Sequence, residues 1–119
     1  MDSSTRRQIH EVGTRYIRKA FAQLNDLKAL VARIHEGDYH CLADMDHLTH
    51  QLHGTAGMFG FEKVSAVAGR INKVVKSFEV YPSKWNLVSL DLLMIELGDA
   101  LYDSVNSRNR PAGAPVSAR

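Results

Sequence analysis

Apolar residues recur along most of this chain at alternating intervals of three and four, the signature of helices buried along one stripe. The clearest run is Ile17, Ala20, Leu24, Leu27, Val31 and Ile34. Gly37 is placed to end that helix, and Asp38 to cap the next. A following segment from about Tyr39 to Phe59 carries Met45, Leu48, Leu52, Ala56 and Phe59, and Gly60 supplies its stop. Another stripe follows in Phe61, Val64, Val67, Ile71, Val74 or Val75, and Phe78, before Pro82 breaks the pattern. The last helix, from Ser83 or Lys84 to Ser104, offers Leu87, Leu90, Met94, Leu97 and Leu101. Upstream, Ser4 could cap a short separate helix with Ile9 and Val12, ending or kinking at Gly13. No strand-like alternation occurs. The pattern predicts an all-α fold, an antiparallel four-helix bundle with a short extra N-terminal helix. Its expected divisions are a short helix or arm over 1–13, the bundle over 14–105 and a disordered tail over 106–119.

Composition narrows the class without naming a function. The 119 residues suit one domain, and a net charge of +2 is far from a nucleic-acid footprint. A single cysteine, Cys41, cannot form an internal disulfide. The start MDSSTRRQIH lacks the apolar core of a signal peptide, and no apolar run is long enough to span a bilayer. A small cytoplasmic protein that binds neither membrane nor nucleic acid is expected, working as a monomer.

The chemistry is concentrated in LTHQLHGTAGMFGF, residues 48–61. His47, His50 and His53 stand three apart, and Gly54, Gly57 and Gly60 follow at the same interval. Each glycine inside a helix costs about 1 kcal/mol relative to alanine. With the stripe from Met45 to Phe59 facing inward, His50 points roughly 150° away from it. Asp46, His53, Gly54 and Gly57 share that outward side. The surface beyond His50 is therefore pared down, which leaves room for another macromolecule to approach the imidazole. Competing readings remain at this point. An exposed histidine is common, and His47 or Asp46 with His50 could share a metal ion. Bundle metal sites, however, project inward and recruit carboxylates from other helices. Cys41 paired with a histidine lacks any orienting signature for a nucleophile. His10, His35 and His40 are expected to face solvent or cap, and Gly54 could instead allow close helix packing.

The run His50-Gln51-Leu52-His53-Gly54-Thr55-Ala56-Gly57-Met58-Phe59-Gly60 resembles the core motif of histidine-containing phosphotransfer (HPt) domains. That motif is His-x-Leu-Lys-Gly, then a small residue three positions on, a hydrophobic residue and glycine. Gly37-Asp38 and the helix order fit as well, so the resemblance covers roughly residues 14 to 105. MFGF is also similar to the phosphoacceptor domain of chemotaxis histidine kinases. The resemblance implies a phosphorelay intermediate with His50 as phosphoacceptor at Nε2, Leu52 anchoring the helix, and Gly54 and Gly57 keeping the approach clear. Around His50, it makes Gln51, His53, Asp46 and Lys63 candidates for orienting the phosphoryl group or docking the partner. Asp46 could hold the other ring nitrogen, and Arg70 and Lys73 join Lys63 as a basic docking set.

His53 stands where the family has lysine. Histidine carries charge only when protonated, with an ordinary pKa near 6.5, so transfer is expected to vary with pH between about 6 and 8. No Gly-rich nucleotide loop or magnesium-binding acidic cluster is evident, so no kinase activity is expected. The chain needs no cofactor of its own. The implied partner, a response-regulator receiver domain or a hybrid histidine kinase, would bring the aspartate and Mg2+. The alternative is a bundle that serves as an unphosphorylated scaffold or inhibitor of a signalling partner.

Overall fold

The computed structural model describes residues 3–109, with side chains described for 14–106. Four helices make up the fold: α1 (Ser3–His35), α2 (Leu42–Met58), α3 (Glu62–Val80) and α4 (Lys84–Asn109). They close into a ring in which α1 packs on α2, α2 on α3, α3 on α4 and α4 on α1. Helices α2 and α4 therefore occupy opposite corners, with no close backbone approach between them among the described residues.

The predicted stripes meet in one core, except that Phe59, expected inward, is exposed at the end of α2. Ala20, Leu27, Met45, Leu52, Val64, Ile71, Val75, Leu97 and Leu101 are wholly enclosed. Each large aliphatic among them contributes about 1.5–3 kcal/mol by leaving water. Of the two candidates in α3, Val75 is inward and Val74 only partly covered. The pairing of residues along the helices is fixed by polar contacts. Asp46 of α2 meets Asn72 of α3, while His53 further along α2 meets Ser65 nearer the start of α3. His35 at the end of α1 binds Asp91 near the start of α4 at 2.8 Å, and Phe21 meets Tyr102 further along.

Three boundaries differ from the expectation. Helix α1 is continuous from Ser3, so the short N-terminal helix over 1–13 is not a separate element, and Gly13 is carried inside a helix. One weak former within a long helix costs about 1 kcal/mol, too little to end it. The side chains of Ser4, Ile9, His10 and Val12 lie outside the described set. Helix α2 begins at Leu42, later than Tyr39, because Asp38 serves the preceding turn. Its carboxylate accepts the His40 backbone N–H at 3.1 Å and a two-pronged contact from Arg33 at 2.8 and 3.0 Å. The Arg33 guanidinium, and then the His40 amide, hold that carboxyl below its usual range. Helix α4 runs on to Asn109, past the expected end at Ser104, and residues 110–119 lie outside the description. The stops at Gly37 and Gly60 stand where the spacing placed them, both left-handed with φ of 88° and 81°. Ser83 caps α4 by accepting the Asn86 N–H at 3.1 Å.

Candidate functional site

The face shared by α2 and α3 is built on a buried polar seam. Thr49 is wholly enclosed; its hydroxyl donates to the Met45 carbonyl at 2.8 Å. The Asn72 amide reaches across from α3 to Thr49 Oγ1 at 2.9 Å and Asp46 Oδ1 at 2.7 Å, and lies 3.1 Å from the Asp46 carbonyl. One and two turns on, the seam continues through His53 and Ser65. His53 Nδ1 lies 2.7 Å from the Ser65 carbonyl, which can only accept, so Nδ1 carries the proton and donates. The Ser65 hydroxyl in turn donates to the His53 carbonyl at 2.8 Å. These bonds fix the register of α2 on α3 beneath the outward surface.

Above the seam stands His50, exposed and without a hydrogen bond among the described residues. It opens onto a groove of about 360 Å³ whose other walls include His53, Gly69, Arg70, Asn72, Lys73 and Lys76. Arg70 is paired with Glu96 of α4 at 2.9 Å. Lys73 and Lys76 have no acidic partner among the described residues, so the α3 wall is positive. Gly69 makes the seat for His53: a Cβ there would lie 3.0 Å from Nδ1 and 3.1 Å from Cε1.

The glycines of the motif separate by role. At Gly54 an added Cβ would meet nothing within 4 Å, so no neighbour within the chain demands its small size. Gly57 differs from the expectation of open clearance, because a Cβ there would sit 3.3 Å from Ser65 Oγ. Its smallness lets α3 approach as well as leaving the outer surface low. Gly60 takes the left-handed turn after α2.

Several expected site residues lie elsewhere. The Asp46 carboxylate bonds to Asn72, and a contact to the His50 ring is not among its bonds. Gln51 turns toward α1, where Gln23 donates to it at 3.3 Å. Lys63 is paired with Asp103 of α4 at 3.5 Å, outside the His50 groove. His47 borders a separate recess with Asp26 and Asp44 on the α1 side. Among the described residues no three His, Cys, Asp or Glu side chains are grouped to hold a metal ion. Cys41 is buried, its thiol 3.5 Å from the Leu30 and Asp38 carbonyls, and burial pushes its pKa up, away from a reactive thiolate.

A sequence profile of the Hpt domain matches residues 12–101. The chain belongs to the HPt domain family. That span takes in most of α1, all of the α2–α3 face and the greater part of α4. Comparison with curated proteins and with solved structures gave no significant match. HPt domains are phosphotransfer modules of two-component signalling, so this chain is assigned to that general role. No helix among the described residues is long and apolar enough to cross a membrane.

Gly69, Asn72 and Lys76 of the groove, and Ser65 of the seam beneath it, were not singled out from the sequence. Gly69 carried the one readable signal, a glycine within the strongly periodic run VSAVAGRINKVV. Asn72 follows the buried Ile71 and looks like an ordinary polar position until α2 is packed against it.

Proposed function

We propose that this HPt protein is an antiparallel four-helix phosphoryl carrier that accepts the group on His50 and passes it to a receiver-domain aspartate. The observation that supports this most directly is His50 itself, an exposed, unbonded imidazole above a fixed seam, facing a cationic α3 wall and flanked by the open Gly54. With the proton on Nδ1, the Nε2 lone pair attacks phosphorus of an aspartyl phosphate. The P–O bond breaks, the carboxylate leaves with its electron pair, and the N–P bond forms. The resulting imidazolium then loses its Nδ1 proton. Donation reverses the sequence: a receiver carboxylate attacks phosphorus, and Nε2 leaves with the pair from the N–P bond.

The chain supplies position and charge. The phosphoryl oxygens would lie over the groove, where Lys73, Lys76 and Arg70 offset their charge. Mg2+ and the aspartate belong to the receiver domain, and a histidine kinase is the other candidate donor. No kinase chemistry of its own is assigned to the bundle, and a cytoplasmic setting suits the reading.

His53 is tied to Ser65 by Nδ1, so only its Nε2 edge is available to the groove. Protonation at Nε2 would add a cation beside His50 to those of Arg70, Lys73 and Lys76, the charged groups that α3 places on this groove. His53→Lys, which holds a cation there, should therefore change the transfer rate and its pH profile relative to the wild type. An unchanged profile in the variant removes His53 from the transfer step.

The deciding experiment is incubation with phosphorylated receiver domains. Acid-labile, alkali-stable phosphate should appear on the wild type and vanish in His50→Gln. Label that persists in His50→Gln would move the site, and its absence from the wild type across several receivers would favour an unphosphorylated scaffold.

A further inference from the structure

We propose that the outer face of α4 is a self-association surface on which two copies of this chain pair with their α4 helices antiparallel. Helix α4 has two apolar stripes. One, with Leu90, Leu97 and Leu101, lies in the core. The other runs Trp85, Val88, Leu92, Ile95 and Tyr102 and stands in water: Trp85 is 82% exposed, Leu92 58%, Ile95 63% and Tyr102 65%. The spacing of three, four, three and seven is that of a coiled-coil seam, with Asp99 in the place between Ile95 and Tyr102.

Exposed aliphatic side chains scattered singly need no explanation, but a continuous stripe five turns long does. It amounts to about 500 Å², the upper range of what a monomer leaves bare. Two copies meeting on it would bury about 1,000 Å² or more, the size at which specific interfaces begin. The stretch NRPAGAPVSAR at the end of the chain carries no aromatic, leucine, isoleucine or methionine with which to cover the stripe.

Charge chooses the direction. In a parallel pair each Asp99 would face its own copy at the seam, a like-charge contact in an apolar setting. Turned antiparallel about a twofold axis between Leu92 and Ile95, the stripe pairs with itself, and each Asp99 lies opposite Val88 of the second copy instead of another carboxylate. Trp85 then lies opposite Tyr102 of the second copy, and Leu92 opposite Ile95. Lys84, which has no ion pair among the described residues, comes within one helical turn of the second copy's Asp99, and the contact occurs twice by symmetry. His50 stands on α2, outside the stripe, although the recess beside Leu92 shares Arg70 and Lys73 with the His50 groove, so the second copy would sit next to that groove without including the imidazole in its seam.

The test is the mass of the full chain by sedimentation equilibrium from low to high micromolar concentration. The wild type should move from one chain of 13.3 kDa toward twice that mass. Leu92→Asp, at an exposed position, should stay at one chain with unchanged helical circular dichroism and weaken pairing at least tenfold. Lys84→Glu should also weaken pairing, and adding Asp99→Lys should restore it. A wild type that remains at one chain throughout overturns the proposal, as does a dimer indifferent to Leu92→Asp. A double variant no tighter than Lys84→Glu alone overturns the antiparallel pairing. If the wild type is monomeric and Leu92→Asp instead weakens capture of a receiver domain, the face belongs to that partner and self-association is refuted. The phosphorylation of His50 is read separately and does not enter the result.

Discussion

Helices α2 and α4 both present exposed faces that an ordinary solvated helix would not have, and they depart in opposite ways. On α2 the outward surface is pared down with glycine and lined with imidazole, and polar bonds to α3 hold it from below. On α4 the outward surface is bulky and apolar, and ion pairs from Asp91, Glu96 and Asp103 tie the helix to α1 and α3. The α2 face gives up helix stability for access to one nitrogen. The α4 face keeps its helix formers and leaves apolar area in water, which only association can recover. Access and adhesion thus sit on different helices of one ring and approach each other at Arg70 and Lys73 of α3, which border both the His50 groove and the recess beside Leu92.

The largest expected effect tests that separation directly. His50→Gln should abolish phosphoryl acceptance while leaving the oligomeric mass unchanged, and Leu92→Asp should do the reverse. Both variants, assayed for both readouts, would show coupled losses if the faces were one surface. Next in size is Asn72→Ala, which strips Thr49 and Asp46 of their shared donor across the α2–α3 seam. It should cost about 2 kcal/mol in chemical denaturation and slow transfer by loosening the base of His50, with the dimer unaffected. Gly54→Ala sharpens the trade of stability for access. Its Cβ meets nothing within the chain, so the helix should gain about 1 kcal/mol while transfer to the receiver slows. A faster or unchanged transfer would remove clearance as the reason for glycine there.

The smallest effect lies away from both faces, in the aromatic group that closes one end of the bundle. Tyr16 stacks on Phe59 and Phe61 at 5.2 Å each, and its hydroxyl is buried without a partner among the described residues. Burial pushes its pKa up to about 12 from an ordinary 10.0. The folded form therefore favours the neutral phenol more than the unfolded chain does. That stability is whole below pH 10 and is lost as pH rises toward 12. Tyr16→Phe should leave the fold as stable or up to about 1 kcal/mol more stable at neutral pH. It should also flatten the alkaline limb of a thermal-melt profile.

Much of the fold was legible because a helix buries a stripe with a fixed period. Ile17 through Ile34, and Leu90, Met94, Leu97 and Leu101, fell inside as their spacing required. The outward direction of His50 followed from the same period. The motif from His50 to Gly60 carried the family, which the profile match confirms over residues 12–101. The continuity of α1 through Gly13 was not legible, because one glycine weakens a helix without deciding its fate. Asp38 was misplaced for a related reason: as an acceptor it can serve a turn, an arginine or a helix start, and here Arg33 and His40 take it.

What the sequence determined by itself was local: helices, their stops at Gly37 and Gly60, and an imidazole pointing out of its stripe. Packing decided the rest. Asn72, Ser65, Gly69 and Lys76 became part of the site only when α3 was laid against α2, since contacts between helices depend on register and no spacing within one helix encodes it. Packing likewise chose which apolar stripe of α4 would be buried. Both carry the helical period, and α1 and α3 could cover only one. The stripe left outside is a property of the assembled ring, because a helix touching two neighbours still has a side turned to water.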